Sequence, residues 1–408
     1  MNRVVVTGVG AYSPIGHCWS DVESRLRERR NGIRYMADWE VYDGLNTRLA
    51  APIDDFELPE NFTRKRIRSM GRVALLAVAA SQKALAAAGL LDDPVLGSGR
   101  TGVAYGSSTG STDAAADFVS MLSNQKLQGV TATTYIRMMG HTAPVNIGVF
   151  FGLTGRVYTT SSACTSGSQG IGYAYEAIRD GAMTVMLAGG AEELCPTEAA
   201  VFDTLYATST RNHEPGLTPR PFDRNRDGLV IGEGACTLVL ENRDHALARG
   251  ARILAEVVGF ATNSDGQHVT QPSPATMQRV IEMALENASL DHRAVGYISA
   301  HGTATEVGDI AESKATFEVF GSNVPTSAMK SYMGHTLGAC GALESWLAIE
   351  MMNRGWFAPT VNLETIDERC ANLDYIADGG RELDTEYVIN NNFAFGGINT
   401  SLVFRRHR

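Results

Sequence analysis

Two spacings of apolar residues alternate along the chain and predict alternating helices and strands. Residues 71–90 form a nearly continuous Ala-rich apolar segment, and residues 277–290 place apolar side chains on one helical face. Short β-branched runs at 101–105 and 296–300 follow these segments and predict strands. Because each strand then enters a small, Gly-rich turn, the pattern predicts a layered α/β protein.

The same order of elements occurs twice, which predicts a duplicated α/β unit. In each half a strand leads to a Gly-rich elbow and then to a helix of small residues, with Cys164 at one elbow and His335 at another. Helices this rich in Gly, Ala and Ser are expected between two sheets, where large side chains would not fit. We therefore predict one half at residues 1–252 and a second at 253–408.

The first strand, predicted at residues 4–7, ends at Gly8-Val-Gly10. A dinucleotide-binding turn is an alternative, but Ser13 stands in place of the third glycine, and no acidic residue in clear context follows about 20 residues later. We interpret the segment as a buried strand that leaves through a glycine turn.

Bulk properties exclude several classes of protein. The 408 residues carry a formal net charge of −10, which argues against a general nucleic-acid binder. The six cysteines form no C-x-x-C pair, so we expect no disulfide framework or structural zinc site, and a reducing cytoplasm. We expect neither a signal peptide nor a membrane span, because no long uninterrupted apolar segment occurs.

Cys164 is the strongest candidate nucleophile. A strand at 157–160 runs into Ser-Ser-Ala-Cys, and Thr-Ser-Gly-Ser then begins a helix. A thiol at a helix N-terminus is expected to have a lowered pKa. The alternative is an inert core residue, which is our interpretation of the cysteines that lack this setting: Cys18, Cys195, Cys236, Cys340 and Cys370.

Two histidines lie in equally small, Gly-flanked settings at strand ends, His301 and His335. Metal binding is the competing hypothesis, but neither has a second ligand at close spacing and no His-Glu-x-x-His occurs, so no metal is expected. Lys330 and Glu344 flank His335 in sequence. They form either an ordinary ion pair or, as we favour, a pair that fixes the orientation and tautomer of the histidines.

A fourth segment, residues 390–399, combines Phe393, Phe395 and two glycines between two predicted strands. Glycines after an aromatic residue let the backbone approach a substrate closely. The amides here are therefore candidates for an oxyanion hole.

These four segments, together with residues 188–192 and 220–235, resemble the elongating β-ketoacyl-acyl carrier protein synthases of the thiolase superfamily. The resemblance covers essentially the whole chain. The Cys–His–His set distinguishes it from thiolases, which have Cys–His–Cys, and from initiating synthases, which have Cys–His–Asn. The resemblance implies a thiolase-like duplicated α-β-α-β-α layered fold and a decarboxylative condensation of an acyl thioester with malonyl-acyl carrier protein. It implies no cofactor, since phosphopantetheine arrives on the carrier protein.

The resemblance also implies a role for each matching residue. Cys164 would carry the acyl chain, and His301 and His335 would donate hydrogen bonds to the malonyl thioester carbonyl. The amides of Cys164 and Phe395 would hold the oxyanion, while Lys330 and Glu344 would order the site. Thr303 and Thr305 would bind the phosphopantetheine arm. Further substrate-binding residues would be Phe393, Thr109, Phe202 and Leu229, with Thr109 at the position that limits pocket depth.

A basic run contrasts with the acidic chain. Arg64, Lys65, Arg66, Arg68 and Arg72 fall within nine residues, and positions 64, 68 and 72 would share one helix face. Such a run is usually a solvated face. The resemblance implies instead that Arg64, Lys65, Arg68 and Arg72 dock the acidic acyl carrier protein, and that the enzyme is a homodimer.

Four residues depart from the family pattern: Ala394, Leu229, Asn392 and Ile398. We expect them around the acyl entrance and predict an unusual acyl chain, of the polyene, aryl or polyketide type. Two other functions stay open. A non-catalytic chain-length partner is opposed by the intact Cys–His–His set, and a thiolase acting on coenzyme A esters is opposed by the second histidine.

Overall fold

In the computed structural model, which describes residues 1–407, strands and helices alternate along the chain. The strands are β1 (Val4–Tyr12), β2 (Arg34–Tyr35), β3 (Leu49–Ala51), β4 (Thr101–Gly106), β5 (Val157–Thr159), β6 (Val185–Glu192), β7 (Ile231–Gly232), β8 (Gly234–Asn242), β9 (Ala255–Ser264), β10 (Val295–Ser299), β11 (Pro325–Ser327), β12 (Trp356–Phe357), β13 (Asp374–Tyr375), β14 (Arg381–Glu382), β15 (Tyr387–Ala394) and β16 (Ile398–Arg406).

The α-helices are α1 (Trp19–Arg27), α2 (Arg64–Ile67), α3 (Arg72–Ala88), α4 (Thr112–Asn124), α5 (Ala132–Met138), α6 (Thr142–Phe151), α7 (Ser166–Arg179), α8 (Pro196–Asp203), α9 (Arg243–Ala248), α10 (Pro274–Ala288), α11 (Glu306–Phe320), α12 (Lys330–Met333) and α13 (Cys340–Arg354). Short 3₁₀ turns precede α7 at Ala163–Thr165 and α13 at Leu337–Ala339.

One eleven-stranded sheet contains both halves of the chain, in the order β13-β11-β10-β15-β16-β9-β1-β8-β6-β4-β5. The strands before residue 250 occupy one side and the later strands the other. The two groups meet where β1 pairs with antiparallel β9, from Val4 opposite Val257 to Val6 opposite Ala255. This segregation agrees with a duplicated unit, although the division at residue 252 itself stays a prediction.

Helices α7 and α13 lie between the two groups of strands, and each contacts strands of both groups. Helices α3 and α6 cover the outer face of the first group, and α10 packs on β9 and β16 of the second. This arrangement confirms the predicted α-β-α-β-α layering. The two central helices approach at Gly167, where a Cβ atom would lie only 2.9 Å from the backbone nitrogen of Ala342. Glycine is therefore required by the close contact of the helices.

The first strand differs from its prediction. It does not leave through a glycine turn, because β1 continues through Gly8 and Gly10 to Tyr12. A Cβ atom on Gly10 would lie 2.2 Å from the carbonyl oxygen of Ala80 in α3. The glycines therefore allow α3 to lie directly on the strand. From the sequence alone, glycines that permit such close packing look the same as glycines that form a turn.

The basic run does not form a single helix, so the prediction of one face containing residues 64, 68 and 72 is wrong. Helix α2 ends at Ile67, and α3 begins at Arg72 after a break. The guanidinium of Arg72 pairs with the buried Glu233 and donates to the carbonyl of Ile53 at 2.7 Å. Arg72 is therefore a structural residue, whereas Arg64, Lys65 and Arg68 are exposed.

All six cysteines are free. Within residues 1–407, no helix combines the length and the apolar character that crossing a bilayer requires.

Candidate active site

Cys164 lies in the tight elbow between β5 and α7. Ala163 adopts a left-handed conformation with φ of +51°, which turns the chain sharply before the cysteine. The elbow is held by hydrogen bonds from the Thr160 hydroxyl to the Ser166 carbonyl at 2.9 Å and from the Ser162 amide to the Ser166 hydroxyl at 2.9 Å. Small hydroxyl side chains thus fix the thiol at the start of the central helix.

His335 lies at the corresponding elbow before α13, and its backbone is anchored by a hydrogen bond to the Val230 carbonyl at 2.7 Å. The Leu337 amide donates to Nδ1 of His335 at 3.2 Å. Because Nδ1 accepts, the proton of the neutral ring belongs on Nε2. That Nε2 atom lies 3.0 Å from the Cys164 sulfur.

His301 follows β10, and its amide and that of Gly302 donate to the Glu312 carboxylate at 2.6 and 2.7 Å. Nδ1 of His301 lies 3.0 Å from Nζ of Lys330. A lysine ammonium can only donate, so this ring also carries its proton on Nε2. The rings of His301 and His335 meet edge to face, with centroids 5.2 Å apart.

Both imidazoles are neutral. Burial lowers the pKa of His301 and of His335 well below the usual range, and the Lys330 charge acts in the same direction. Two neutral rings with protonated Nε2 atoms beside one sulfur are hydrogen-bond donors rather than bases.

Lys330 belongs to a buried network behind the histidines. It forms an ion pair with Glu344, which also accepts a hydrogen bond from the Asn392 amide at 2.7 Å. Burial alone would lower the pKa of Lys330, but Cys340 and Glu344 outweigh it and raise the pKa. The ammonium therefore stays charged and holds the ring of His301, as expected for an orienting pair.

The pKa of Cys164 differs from the prediction. Burial raises it to about 11, although the Lys330 charge and the amides of Phe395 and Cys164 act in the opposite direction. The predicted helix N-terminus is present, but desolvation of a thiolate in this apolar environment outweighs its effect. The resting cysteine is therefore a thiol.

The segment after β15 supplies the remaining backbone donor. The amide of Phe395 interacts with the Cys164 sulfur. Gly396 and Gly397 follow with φ of +88° and +69°, a turn that favours glycine. Ala394 lies in β15 opposite Ile398, outside the left-handed region, so it is tolerated without backbone strain here.

A cavity of about 650 Å³, including part of its open mouth, leads to Cys164. The catalytic candidates Cys164, His301, His335 and Phe395 border it. So do five of the predicted substrate-binding residues, which are Thr303, Thr305, Phe393, Phe202 and Leu229. Thr109 does not border the cavity, and its predicted role in limiting pocket depth stays a prediction. Its hydroxyl faces Glu198 instead.

The four residues that depart from the family pattern lie in two different places. Leu229 and Ala394 border the cavity, but Asn392 and Ile398 do not. Asn392 is fully buried and bonds Glu344, so the prediction that all four surround the acyl entrance is wrong. Asn392 belongs to the network that orders the histidines.

Potential ligand atoms of Cys164, His301 and His335 lie within 4.8 Å of one another. A second such group, formed by His301, Cys340 and Glu344, shares His301. The Lys330 ammonium contacts His301 and Glu344 directly, so a metal cation in the second group would face an existing positive charge. The charge distribution favours an anionic reaction centre, and the expectation of no metal stays a prediction.

Sequence reasoning missed two buried carboxylates at the site. Glu312, on α11, fixes the backbone at His301. Glu192, at the end of β6, accepts hydrogen bonds from the Ser108 and Gly338 amides at 2.7 and 2.9 Å and so joins two active-site turns. For Glu192 the available signal is an acidic residue at the end of an apolar, small-residue strand, whereas Glu312 lies in a helix of mixed charge and carries no such signal.

Comparison with known proteins identifies the family. The model of the β-ketoacyl synthase N-terminal domain matches residues 1–246, and that of the C-terminal domain matches residues 254–364. The chain belongs to the β-ketoacyl synthase family. The synthase is therefore an acyltransferase-class condensing enzyme, which needs no cofactor of its own.

Full-length relatives share this fold. The synthase is 36% identical to 3-oxoacyl-[acyl-carrier-protein] synthase 1 of Haemophilus influenzae, over 100% of both chains. A crystal structure of a β-ketoacyl synthase from Burkholderia phymatum is 57% identical, with a TM-score of 0.99 and 100% coverage of both chains. The structure described as the ishigamide ketosynthase/chain length factor is 32% identical, with a TM-score of 0.90 and 100% coverage of both. These matches confirm the thiolase-like fold.

Proposed function

We propose that the synthase condenses an acyl group held on Cys164 with malonyl-acyl carrier protein, releasing carbon dioxide and a β-ketoacyl-acyl carrier protein. One observation carries this assignment. Two neutral imidazoles present protonated Nε2 atoms around a single buried thiol, with His335 Nε2 at 3.0 Å from the sulfur. Such donors stabilise an enolate, and the thiol holds the electrophile with which the enolate reacts.

In the first step the Cys164 sulfur attacks the thioester carbonyl of the acyl-carrier protein. The bond to the phosphopantetheine sulfur breaks, and the departing sulfur takes up the proton that the thiol loses. Lys330 and the amides of Phe395 and Cys164 favour the transient thiolate. The same two amides hold the tetrahedral oxyanion.

In the second step the malonyl thioester carbonyl accepts hydrogen bonds from Nε2 of His301 and of His335. The bond to the malonyl carboxylate breaks, carbon dioxide leaves, and the electron pair becomes an enolate. Its carbon attacks the acyl carbonyl on Cys164, and the carbon–sulfur bond then breaks. The Cys164 thiolate recovers a proton from solvent, so the reaction consumes one proton.

The phosphopantetheine arm enters past Thr303 and Thr305. Their hydroxyls lie 2.8 Å apart and border the cavity. Hydroxyl pairs at a cavity mouth match the amides of the arm, which both donate and accept hydrogen bonds. We propose that this pair positions the reacting thioester at the histidines.

Carrier docking involves Arg64, Lys65 and Arg68, the exposed residues of the predicted basic set. The acyl carrier protein is acidic, so these cations would steer its approach to a synthase of net charge −10. Arg72 is left out of the proposed docking set because its guanidinium already pairs with Glu233.

We propose a homodimer that acts in the cytoplasm, where the free Cys164 thiol is preserved. Strand β5 ends the sheet, and Val157 on it is 50% exposed. Val149, on α6, which contacts β5, is 78% exposed, and Leu122, on α4, is 73% exposed. An exposed strand edge with apolar neighbours fits symmetric pairing with a second copy.

The chain accepted on Cys164 is proposed to be of the polyene, aryl or polyketide type. Leu229 and Ala394 alter the cavity wall. Equal turnover on saturated C8–C14 acyl-carrier proteins and on such primers would contradict this specificity.

The test is intact-protein mass spectrometry after incubation with a panel of acyl-carrier proteins, followed by addition of malonyl-carrier protein. We expect an acyl adduct on the wild type and on the control Cys18→Ala, but none on Cys164→Ala, and we expect discharge to a β-ketoacyl product. Absence of any adduct would indicate a partner subunit instead. Equally fast acylation and product formation from coenzyme A esters would indicate a thiolase-type enzyme.

A further inference from the structure

Glu198 is a buried carboxyl group that the condensation mechanism does not use. It lies on α8 and is 4% exposed. Among the described residues its Oε1 has one hydrogen-bond partner, the Thr109 hydroxyl at a long 3.4 Å, and its Oε2 has none. Buried polar atoms are nearly always hydrogen-bonded, so the orphan oxygen requires an explanation.

The two neighbouring carboxylates are satisfied, in contrast to Glu198. Glu192 accepts from the Ser107 hydroxyl and from two amides, and Glu193 accepts from the amide and hydroxyl of Thr112. Burial, followed by the charges of Glu192 and Glu193, raises the pKa of Glu198 well above its usual range. Glu198 is therefore a neutral acid with an O–H group available to donate.

The position of Glu198 connects it to the reaction site. Phe202 follows it by four residues, so both side chains lie on the same buried face of α8. Phe202 borders the active-site cavity and, with Ala199, packs in the same apolar cluster as Cys164. This face of the helix therefore leads from the nucleophile to Glu198.

We propose that Glu198 and Thr109 form a polar end to the acyl pocket and select chains bearing a hydroxyl group at the end remote from the thioester. The inference rests on the proposed condensation and specifies its substrate. Neither residue borders the open cavity, so the acyl chain displaces the side chains around Phe202 to reach them. The terminal hydroxyl then accepts from the Glu198 O–H and donates to an oxygen of the pair.

A polar pocket end of this kind strongly favours hydroxyl-terminated acyl chains over methyl-terminated ones. A methyl-terminated chain would leave the Glu198 O–H without a partner, whereas a hydroxyl group satisfies it. An apolar pocket end would show little preference or the opposite one, because burying a hydroxyl without a partner is unfavourable.

The experiment compares kcat/KM for condensation of ω-hydroxyacyl and methyl-terminated acyl-carrier proteins over a series of chain lengths. We expect the wild type to prefer the hydroxyl-terminated chain by about tenfold at the length that reaches Glu198. Glu198→Met should abolish or reverse the preference, and Thr109→Val should reduce it if the methionine variant does not fold. Thr197→Val, on the exposed face of the same helix, should leave the preference unchanged.

Two outcomes separate the two proposals. If neither chain condenses with malonyl-carrier protein in the wild type, the proposed function fails. If both chains condense and their ratio is the same in the wild type, Glu198→Met and Thr109→Val, the condensation stands and the polar pocket end is overturned. A wild-type preference for methyl-terminated chains at every length would also overturn it.

Discussion

Nζ of Lys330 lies 3.0 Å from Nδ1 of His301, and the same ammonium pairs with the buried carboxylate of Glu344. The lysine thus sets which ring nitrogen of His301 carries the proton, although it does not border the active-site cavity. Lys330, which lies outside the cavity, therefore makes Nε2 of His301 the hydrogen-bond donor that faces the substrate.

Replacing one member of this pair should destabilise the protein strongly. Lys330→Met leaves the Glu344 charge buried and unpaired, so we expect the free energy of unfolding to fall by about 3–5 kcal/mol. The double variant Lys330→Met/Glu344→Leu should recover most of that loss but not the decarboxylation of malonyl-carrier protein. Denaturant unfolding and carbon dioxide release provide the two measurements. Full activity in the stable double variant would show that the pair does not position His301.

Removing a histidine donor should separate the two steps of the reaction. In His301→Ala we expect decarboxylation to slow by about 10²–10³-fold, because one donor to the enolate oxygen is lost. Acylation of Cys164, followed by mass spectrometry, should be much less affected, since His335 is the ring beside the sulfur. His292→Ala, a histidine outside the site, is the matched control. Equal losses in both steps would contradict the assignment of His301 to the malonyl group.

The raised pKa of the Cys164 thiol predicts the pH dependence of its alkylation. Because that pKa is about 11, the thiolate fraction is small at neutral pH and grows about tenfold per pH unit. The rate of iodoacetamide modification of Cys164 should therefore rise from pH 6 to pH 9 without a plateau. Peptide mass spectrometry measures it, with the exposed Cys18 as internal reference. A plateau below pH 8 would show that the helix N-terminus and Lys330 outweigh burial.

Charge reversal of the exposed basic residues should affect carrier binding alone. We expect the combined change of Arg64, Lys65 and Arg68 to glutamate to raise the KM for acyl-carrier protein by about tenfold or more, with a weaker salt dependence. Turnover of a short phosphopantetheine thioester should not change.

Arg72→Ala gives the contrasting result. It leaves Glu233 without its cationic partner, so the free energy of unfolding should fall by about 1–3 kcal/mol while the KM for the carrier stays the same. A raised KM in this variant would restore Arg72 to the docking surface.

The layered fold and the central chemistry could be predicted because local pattern determines them. Alternating helices and strands, small-residue central helices and elbows at Cys164 and His335 all follow from adjacent residues. The partners of those elbows could not be predicted in the same way. Glu192 acts through backbone amides that the fold brings together from distant segments, and Glu312 turns back to the amide of His301 in the loop before its own helix.

Two errors have the same physical origin. Spacing alone predicts one helix for the basic run, whereas the chain breaks before Gly71 and Arg72 pairs with the buried Glu233. The helix terminus predicts a lowered pKa for the Cys164 thiol, whereas burial outweighs that effect. For the Arg72 side chain and for the Cys164 thiol, contacts with distant parts of the chain decide the outcome.

The close contact of α7 and α13 at Gly167 has a consequence for how this enzyme could be cut. Cys164 belongs to the first half, whereas His301, His335 and Phe395 belong to the second, so the reaction centre forms only when the halves are joined. A break between α9 and β9 would yield two inert fragments. Recovery of turnover after mixing the two fragments would measure their reassembly directly. The fragments could therefore serve as a split reporter, because the catalytic signal requires no added label.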